Sequence, residues 1–451
     1  MFKIIAEQYN FHMGTHKSLR IIGLLGIILF CFSSCAGQSR QPTEDFVSID
    51  LDIGEQTLIN WYNTSTSHTG NTTYFGAYAL QPVGDDLFIG FGAARPAESD
   101  GAYFAYFDGT TLNGIGEPDE QGLHDMLWNG SLVHIAGTDP ANGDGWETGN
   151  HYTYDPNTPG ASLEKHRDAT NGQINAIHTW GLWDTGSTLY ASASGHDGSI
   201  TQDCENQYGV KCYGKIFAST DAGQTWEEKS KLGDYRAYDI IGYNSALYAI
   251  HNDELSGKLS MSKSADGGST WALVSGTSET LRRTRLVEFD EKLIGVHWDR
   301  NKLVIIDSNN NATTVNLPDG YLVGATYDEP AYTDYNLLTV TGSNLYLVAE
   351  SQTSRGSNHY ALLRTSDLSS WERMTTTPTK IISLVFWPNK QWIVAATPGT
   401  TATLLKFDIS GAPTAIELTK LEATPQVEQT SFRFALLLIF ALPIWVRFRQ
   451  R

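Results

Sequence analysis

Three features of the sequence predict an all-β fold made of a repeated antiparallel unit. An octapeptide, Ser-Thr-Asp-Ala-Gly-Gln-Thr-Trp at residues 219–226, follows an alternating apolar run, as expected for a strand that enters a tight turn. The same spacing returns at residues 264–271, and a copy one residue shorter lies at residues 365–371. The 42 glycines and the 11% aromatic content suit many short strands joined by tight turns.

Each recurring residue of the octapeptide pattern has a structural reason within this chain. The carboxylate of Asp221 can accept backbone amides inside the turn, and Gly223 supplies a positive φ. Trp226 then anchors the following strand by apolar packing. The octapeptide is therefore a folding signal and carries no chemistry of its own.

A longer repeat surrounds these turns. A short apolar run behind a turn recurs seven times, 45 to 58 residues apart, beginning at Leu87, Leu132, Leu189, Leu247, Leu293, Leu345 and Trp392. Each run is followed by a second alternating run that ends on an aspartate: Asp108, Asp155, Asp221, Asp266, Asp307, Asp367 and Asp408. Units of this kind and length fit four-stranded propeller blades. The sequence therefore predicts a seven-bladed β-propeller of four-stranded antiparallel blades, with an N-terminal signal segment and a C-terminal apolar helix.

The octapeptides resemble the Asp-box, or BNR, repeat of the sialidase-like β-propeller superfamily. That resemblance implies that each octapeptide forms the turn between the third and fourth strands of a blade. It also implies, for sialidases of the superfamily, six blades, an arginine triad, a Tyr/Glu nucleophile pair and a Phe-Arg-Ile-Pro motif. This chain has seven units and no Phe-Arg-Ile-Pro, with Ala-Arg-Pro at residues 94–96 as a poor match. Sialidase activity is therefore disfavoured, and fold alone does not supply a function.

The charge of the chain argues against one class of partner. The 451 residues carry a formal net charge of −19, and several of the 31 basic residues lie in the terminal segments. So acidic a body repels phosphate backbones, and nucleic acid is not expected as a partner.

A propeller of this size counts as one domain. We place it at residues 73–412, after an N-terminal linker and first strand region at residues 36–72.

The N-terminal residues 1–35 have the pattern of an export signal. Basic residues precede an apolar run at residues 21–32, which is too short to span a bilayer. Phe-Ser-Ser-Cys at residues 32–35 resembles a bacterial lipobox, in which the cysteine becomes the lipidated first residue. We therefore expect lipidation of Cys35. The alternative is ordinary cleavage near Ala36 without a lipid.

The remaining cysteines agree with export. Cys204 and Cys212 lie close together in a polar insertion and could form a disulfide in an oxidising compartment. Two free thiols are the alternative. Neither cysteine has a second Cys or His pair at zinc-ligand spacing, and the acidic loops lack EF-hand spacing. No metal and no cofactor are predicted.

The C-terminus contains a second membrane signal. A polar linker at residues 413–433 is followed at residues 434–451 by an apolar segment with a basic tail. The apolar run is short against the roughly 20 residues that span a bilayer, and its basic end would stay cytoplasmic. We therefore expect an extracytoplasmic propeller in the cell envelope, at the outer membrane or cell surface, anchored to the membrane through a terminus.

Chemistry is expected where the loops enter the innermost strands, because that face of a propeller is concave. Counting eleven residues back from the repeat leucine gives four neighbouring positions around the axis: His178, Arg236, Arg282 and Asp334. Five side chains flank them: Tyr235, Arg283, Arg285, Tyr332 and Tyr335. Guanidinium groups bind carboxylate or sulfate in a bidentate way, and aromatic neighbours suit a sugar ring. The alternative is that these arginines pair with local acids such as Asp234, Asp239 and Glu288.

A second set of candidates belongs to the second blade. Trp146 lies in the loop between its second and third strands, and His124 and Asp125 lie at its innermost strand. Glycosidases need two carboxylates roughly 5 to 9.5 Å apart, a distance that sequence does not give. Most acids of these loops are interpreted as solvated residues.

The sequence favours a membrane-anchored binding or assembly module, with an acidic glycan or a cell-envelope protein as its partner. The alternative is a glycan-active enzyme, either a glycoside hydrolase that uses paired acids or a polysaccharide lyase. A lyase would neutralise a uronate with Arg236 and Arg282 and move the proton with His178 or Tyr235. A purely structural envelope protein is the third hypothesis.

Overall fold

The computed structural model describes residues 47–49, 75–93, 102–118, 120–140, 151–166, 174, 176–195, 213–252, 258–324, 336–352, 359–398 and 404–410. Within these ranges every helix or strand element is a β-strand, so the all-β prediction is confirmed for this part of the chain. Among the same residues there is no helix with the length and apolarity to cross a bilayer. The predicted signal segment and C-terminal helix lie outside the described residues.

The strands of the first half are β1 Val47–Ile49, β2 Phe75–Val83, β3 Asp86–Ala93, β4 Tyr103–Phe107, β5 Leu112–Gly116, β6 Glu120–Trp128, β7 Val133–Pro140, β8 His151–Tyr154, β9 Glu164–Lys165, β10 His178–Asp184, β11 Leu189–Gly195, β12 Tyr213–Ser219 and β13 Glu227–Lys231. Those of the second half are β14 Arg236–Tyr243, β15 Ala246–Asn252, β16 Ser260–Ser264, β17 Ala272–Leu273, β18 Val287–Phe289, β19 Lys292–Val296, β20 Lys302–Ile306, β21 Ala312–Asn316, β22 Tyr321–Val323, β23 Leu338–Thr341, β24 Asn344–Ser351, β25 His359–Thr365, β26 Glu372–Thr377, β27 Ser383–Trp387, β28 Trp392–Ala396 and β29 Leu404–Asp408.

Hydrogen bonding groups these strands into six sheets, and this corrects the prediction of seven separate four-stranded blades. Five sheets are separate blades of four or five antiparallel strands. The sixth has eight strands and contains two meanders in series, β6–β9 and β10–β13. A single residue pair, His178 with Thr138, joins them. The strands of neighbouring units converge towards the centre of a propeller, so the start of β10 comes close enough to β7 to form this pair.

The sheets form a β-propeller arrangement in which the first and last units meet. The N-terminal strand β1 pairs with β29 and so completes the sheet β27–β29 from the opposite end of the chain. Gly76 forms a bridge with Pro398, and the Ser383 hydroxyl donates to the carbonyl of Ala77 at 2.7 Å. Apolar side chains of β3 and β28 belong to one buried cluster. The closure therefore combines backbone pairing with packing between the two ends of the chain.

The seven apolar runs and the aspartates that follow them lie at the strand positions that the repeat predicts. All seven apolar runs fall at the second strands of their units, from β3 to β28. In the described turns Asp221 and Asp266 each accept the amide of the residue four positions later, at 2.9 Å in both cases. The amides of Gly223 and Gly268 donate to the serine that opens each octapeptide, at 2.8 and 2.9 Å. Both octapeptides therefore form the same turn between third and fourth strands.

Candidate functional site

Four neighbouring first strands share a β-bulge, and in each the extra residue carries a ring. The pairing register skips Tyr78 in β2, His124 in β6, Trp180 in β10 and Tyr238 in β14. A bulge re-aims the side chain of the extra residue, and here the four rings come into contact one after another. Their successive centroids are 5.2, 5.4 and 5.6 Å apart. We call these four residues the aromatic arc.

Trp180 is the centre of a larger cluster. The His178 ring stacks on it at 4.8 Å with an interplanar angle of 8°. Two guanidinium groups face the same indole, with Arg236 Cζ at 5.5 Å and Arg283 Cζ at 4.3 Å from its centroid. The indole Nε1 donates to the Ser194 hydroxyl at 2.6 Å, which fixes the ring. We call the aromatic arc together with His178, Tyr235, Arg236 and Arg283 the axial cluster.

The axial cluster is buried and positively charged. Arg236 and Arg283 are only 5% and 6% exposed. Each guanidinium also lies over a tyrosine, Arg236 at 4.7 Å from Tyr235 and Arg283 at 4.5 Å from Tyr238. Aromatic faces stabilise a desolvated cation by up to about 2 kcal/mol, so the protein can hold these charges in place. Burial lowers the pKa of His124 well below its ordinary value, and the nearby Arg283 and His178 lower it further.

The structure brings together some of the predicted site residues. His178 and Arg236 open β10 and β14 and meet at Trp180, with Tyr235 and His124 in the same cluster. Arg282 is buried, and its amide donates to the Val296 carbonyl at 2.9 Å. The ligand-binding role of these residues stays a prediction. Asp334, Trp146, Cys204, Cys212 and Cys35 lie outside the described residues.

Arg285 and Asp125 form a separate ionic group beside the aromatic arc. Arg285 Nη2 donates to Asp125 Oδ2 at 2.6 Å, and its Nε lies 3.9 Å from Asp239 Oδ1. The same two carboxylates accept the amides of Leu182 and Leu286, at 2.7 and 2.6 Å, and so connect neighbouring units. We call Asp125, Asp239 and Arg285 the ion triad. For Arg285, pairing with acids of the protein is therefore the arrangement that the structure contains.

Burial raises the pKa values of both carboxylates of the ion triad towards neutral pH. Burial raises the pKa of Asp125 to about 6 and that of Asp239 to about 7, although Arg285 and the backbone amides act in the opposite direction. Gly181 stands between the two units, and a Cβ on it would lie 3.1 Å from Asp239 Oδ1. The close approach of the two strands there explains the glycine.

The sequence analysis missed Tyr78, Trp180 and Tyr238, and it named Arg283 only as a flanking residue. A signal for the aromatic arc is present in the repeats. An aromatic or imidazole side chain stands eight or nine residues before the repeat leucine in the first four units. In every case a small residue or an aspartate follows it. Without the hydrogen-bond register, that pattern does not reveal a bulge.

A second cluster of titratable groups lies away from the axis. His134, His151 and His166 form a stack in which His151 is the middle ring, 5.4 and 5.1 Å from its neighbours. The edge of the Trp226 ring system, from the next octapeptide turn, packs against His151 at 5.2 Å. We call these three residues the histidine ladder. Within the described ranges no group of three or more His, Cys, Asp or Glu residues is arranged to hold a metal ion.

Two open grooves lie near the octapeptide turns rather than at the axial cluster. One of about 620 Å³ runs past Tyr190, Trp226 and Lys229, and one of about 360 Å³ runs past Tyr190, Tyr243 and Glu288. Octapeptide turns lie at the end of each blade where the first strand finishes, whereas His178 and Arg236 stand where it begins. These grooves are therefore at the opposite end of the blades from the predicted site.

Comparison with known proteins gives no family assignment. No protein-family model and no curated protein matches the chain. Among solved structures, a virginiamycin B lyase from Staphylococcus aureus, a catalytically inactive variant with quinupristin, has a TM-score of 0.46 at 10% identity, covering 75% of this chain and 96% of that chain. A streptogramin B lyase has a TM-score of 0.47 at 10% identity, covering 76% and 96%. A chain of the mitotic checkpoint complex has 0.46 at 10% identity, covering 76% and 92%. Similarity at this level carries no information on function.

Proposed function

We propose that this protein is a binding module whose axial cluster captures an acidic, ring-shaped ligand such as an acidic glycan. The observation that supports this most directly is the pair of buried guanidinium groups, Arg236 and Arg283, on one fixed indole.

The axial cluster carries positive charge within an otherwise acidic protein. In a chain of net charge −19, the two guanidinium groups of Arg236 and Arg283 are collected around Trp180. Like charges in a desolvated site repel each other, and a bound carboxylate or sulfate would offset that repulsion. Guanidinium groups also bind such anions through two parallel hydrogen bonds. An anion is therefore the ligand that the cluster would stabilise most.

The aromatic arc favours a ring-shaped ligand. Its four side chains lie on consecutive first strands. Each ring contacts the next, so ring faces and edges follow one another along the arc. Aromatic faces bury the apolar side of a ligand ring while its polar edge keeps its hydrogen bonds. A sugar ring that carries a carboxylate combines both requirements.

Titration calorimetry with a galacturonate trisaccharide tests the proposal. We expect saturable binding to the wild-type protein and a loss of affinity of about tenfold or more in Arg236→Ala and Arg283→Ala, because each removes a buried charged contact. Arg373→Ala is the matched control, since Arg373 is an exposed arginine on β26, and it should bind like the wild type. Equal binding by all four proteins would place the site elsewhere, and no binding by the wild type would refute the proposal.

Analysis of the sugar ends after the same incubation distinguishes binding from catalysis. Asp125 and Asp239 are engaged with Arg285 and with backbone amides, which favours binding over acid catalysis at the ion triad. New unsaturated sugar ends would indicate a lyase, and new reducing ends without unsaturation would indicate a hydrolase. A galacturonate that is bound and recovered intact would support the binding module.

We further propose that the protein is exported and anchored in the cell envelope through a lipid on Cys35. The support is the sequence pattern of residues 21–35. Mass spectrometry of the protein from isolated membranes should show a diacylglyceryl group on Cys35, and Cys35→Ala should remove it. A mature N-terminus near Ala36 without added mass would contradict this.

A further inference from the structure

We propose that the two open grooves at the octapeptide turns form one binding site for a neutral oligosaccharide. The site lies at the opposite end of the blades from the axial cluster, so the inference goes beyond the proposed function and does not depend on it. Its centre is formed by Tyr190 on β11 and Gly267 in the turn after β16. We call the two grooves together the turn-end groove.

The two grooves are neighbours that share part of their lining. The groove of about 620 Å³ and the groove of about 360 Å³ are both lined by Tyr190 and Gly267. Ligand-binding clefts commonly have volumes of about 300 to 1,000 Å³, so each groove has room for a small ligand and the two together for an extended one. The shared residues mark the point where a chain of sugar rings would pass from one groove into the other.

A missing side chain keeps this junction open. Gly267 occupies the position that Ala222 has in the preceding octapeptide, and both residues have a positive φ, +69° and +58°. The turn therefore accepts alanine at this position, and the fold alone does not require the glycine. A Cβ on Gly267 would lie 3.3 Å from the Tyr190 hydroxyl oxygen. The glycine thus leaves space beside that hydroxyl which an alanine would fill.

The Tyr190 hydroxyl can exchange hydrogen bonds with a ligand. The residue is only 8% exposed, so packing fixes its ring. The nearby Tyr243 donates its hydroxyl to the Glu291 carbonyl at 2.5 Å, whereas no residue that the structure describes forms a hydrogen bond with the Tyr190 hydroxyl. A phenolic hydroxyl both donates and accepts, as a sugar hydroxyl does, so the two groups are complementary.

The charged groups of the turn-end groove do not favour a charged ligand. Lys229 Nζ pairs with Glu227 Oε2 at 3.1 Å. Asp266 accepts the Thr270 amide at 2.9 Å and the Thr270 hydroxyl at 2.6 Å within its own turn. Glu288 is exposed, and water screens its charge. A neutral ligand therefore enters without desolvating an unpaired charge.

Hydroxyl groups and aromatic rings contribute much of the remaining lining. Thr188, Thr220 and Trp226 belong to the larger groove, and Tyr243 and Ser245 belong to the smaller one. Sugar rings carry hydroxyls at their edges and apolar C–H groups on their faces. Short hydroxyl side chains exchange hydrogen bonds with the edges, and aromatic rings contact the faces. A neutral oligosaccharide is therefore the ligand whose chemistry matches this lining.

Titration calorimetry of the full-length protein with four neutral tetrasaccharides tests the inference. The probes are the β-1,4-linked tetramers of glucose, mannose, xylose and N-acetylglucosamine. We expect saturable binding of at least one of them with a dissociation constant below about 1 mM. The corresponding disaccharide should bind at least about tenfold more weakly, because it fills only one of the two grooves. No saturable binding of any of the four would refute the inference.

Gly267→Ala tests the junction directly. The added methyl group should lower the affinity for the tetrasaccharide by about tenfold and that for the disaccharide by less than about threefold. Ala222→Gly makes the reciprocal change in the preceding octapeptide, away from the lining of both grooves, and should bind like the wild type. Tyr190→Phe removes only the hydroxyl and should weaken binding by about three- to tenfold. Unchanged tetrasaccharide binding by Gly267→Ala would refute a site that crosses the junction.

Chemical shifts of the wild-type protein locate the site without relying on a variant that folds. A saturating tetrasaccharide should shift the amide signals of Thr188, Ser245 and Gly267 and leave the indole signal of Trp180 unchanged. An excess of the galacturonate trisaccharide should not displace it, because that ligand is assigned to the axial cluster. Shifts at Trp180 without shifts at Gly267, or displacement by the trisaccharide, would refute the inference and leave the proposed function to its own test.

Discussion

Replacing Arg285 with methionine should lower the free energy of unfolding by about 3 kcal/mol at pH 8 and by less than about 1 kcal/mol at pH 5. The guanidinium pairs with Asp125 at 2.6 Å and lies 3.9 Å from Asp239. Methionine keeps the length and flexibility of the side chain but removes the charge, so both carboxylates would remain buried without their cation. Chemical denaturation at the two pH values measures the loss.

The sign of this pH dependence follows from the carboxylates. In the folded protein burial raises their pKa values to about 6 and about 7, against 3.8 when exposed, and Arg285 limits the rise. A carboxylate with a raised folded pKa costs stability as the pH rises from its unfolded pKa to its folded pKa. Without Arg285 both folded values move higher, so the additional cost appears above about pH 6. At pH 5 both groups are protonated with or without the arginine, and little is lost.

Two further variants separate charge from packing. Asp125→Asn/Asp239→Asn/Arg285→Met removes all three charges but keeps an oxygen to accept the Leu182 and Leu286 amides. It should lose the pH dependence that Arg285→Met alone displays. Arg285→Lys keeps the charge and should fall between wild type and Arg285→Met at pH 8. An equal loss at pH 8 and pH 5 for Arg285→Met would show that the arginine acts by packing alone.

The repeat predicted those parts of the fold that depend on local chemistry. Asp221 and Asp266 bond to amides within their own turns, so a spaced pattern of eight residues was sufficient to place them. The entry positions His178 and Arg236 were found in the same way, because they stand at a fixed distance from the repeat leucines. Local spacing therefore accounts for the strands, the turns and the meeting of these two residues.

The partners of each arginine could not be predicted, because they are set by the register of distant strands. Arg283 and Arg285 are two residues apart, yet one lies on Trp180 and the other pairs with Asp125, 160 residues away. The bulge at Trp180 decides which side chain reaches the arc, and a bulge is a property of pairing between two strands. The prediction of seven separate blades was wrong for a similar reason. The single residue pair between His178 and Thr138 joins two units that are separate repeats in the sequence.

The histidine ladder gives the second prediction with a large effect: His134 and His151 together should cost about 4 kcal/mol of stability between pH 7.5 and pH 5. Their protonation states follow from the hydrogen bonds. The Asn129 Oδ1 accepts three donors from Ser131 and Leu132, so its Nδ2 must be the atom that faces His134 Nε2, at 2.8 Å. His134 therefore carries its hydrogen on Nδ1 and donates it to His151 Nε2 at 3.2 Å.

A proton cannot enter this pair without breaking it. A hydrogen added to His151 Nε2 would oppose the one on His134 Nδ1, and the Gly223 turn closes the other side, where a Cβ would lie 2.5 Å from His151 Cε1. In agreement, burial lowers the pKa of His134 to about 4 and that of His151 well below its ordinary value. Unfolded histidines take up protons near pH 6.5 while these two stay neutral, so stability is lost as the pH falls below that value.

As the pH falls over the same range, protonation of the ion triad stabilises the folded protein. A variant must therefore isolate the contribution of the histidine ladder. His151→Phe keeps a ring against Trp226 but cannot titrate, and it leaves the His134 donor without its acceptor. It should be less stable than wild type at pH 7.5 by about 1 to 3 kcal/mol, and its stability relative to wild type should rise by about 2 kcal/mol between pH 7.5 and pH 5. His297→Gln, at a more exposed histidine beside Asp299, should change the pH dependence less. A constant difference between His151→Phe and wild type across the range would mean that His151 takes up its proton in the folded protein as readily as in the unfolded chain, and it would contradict this prediction.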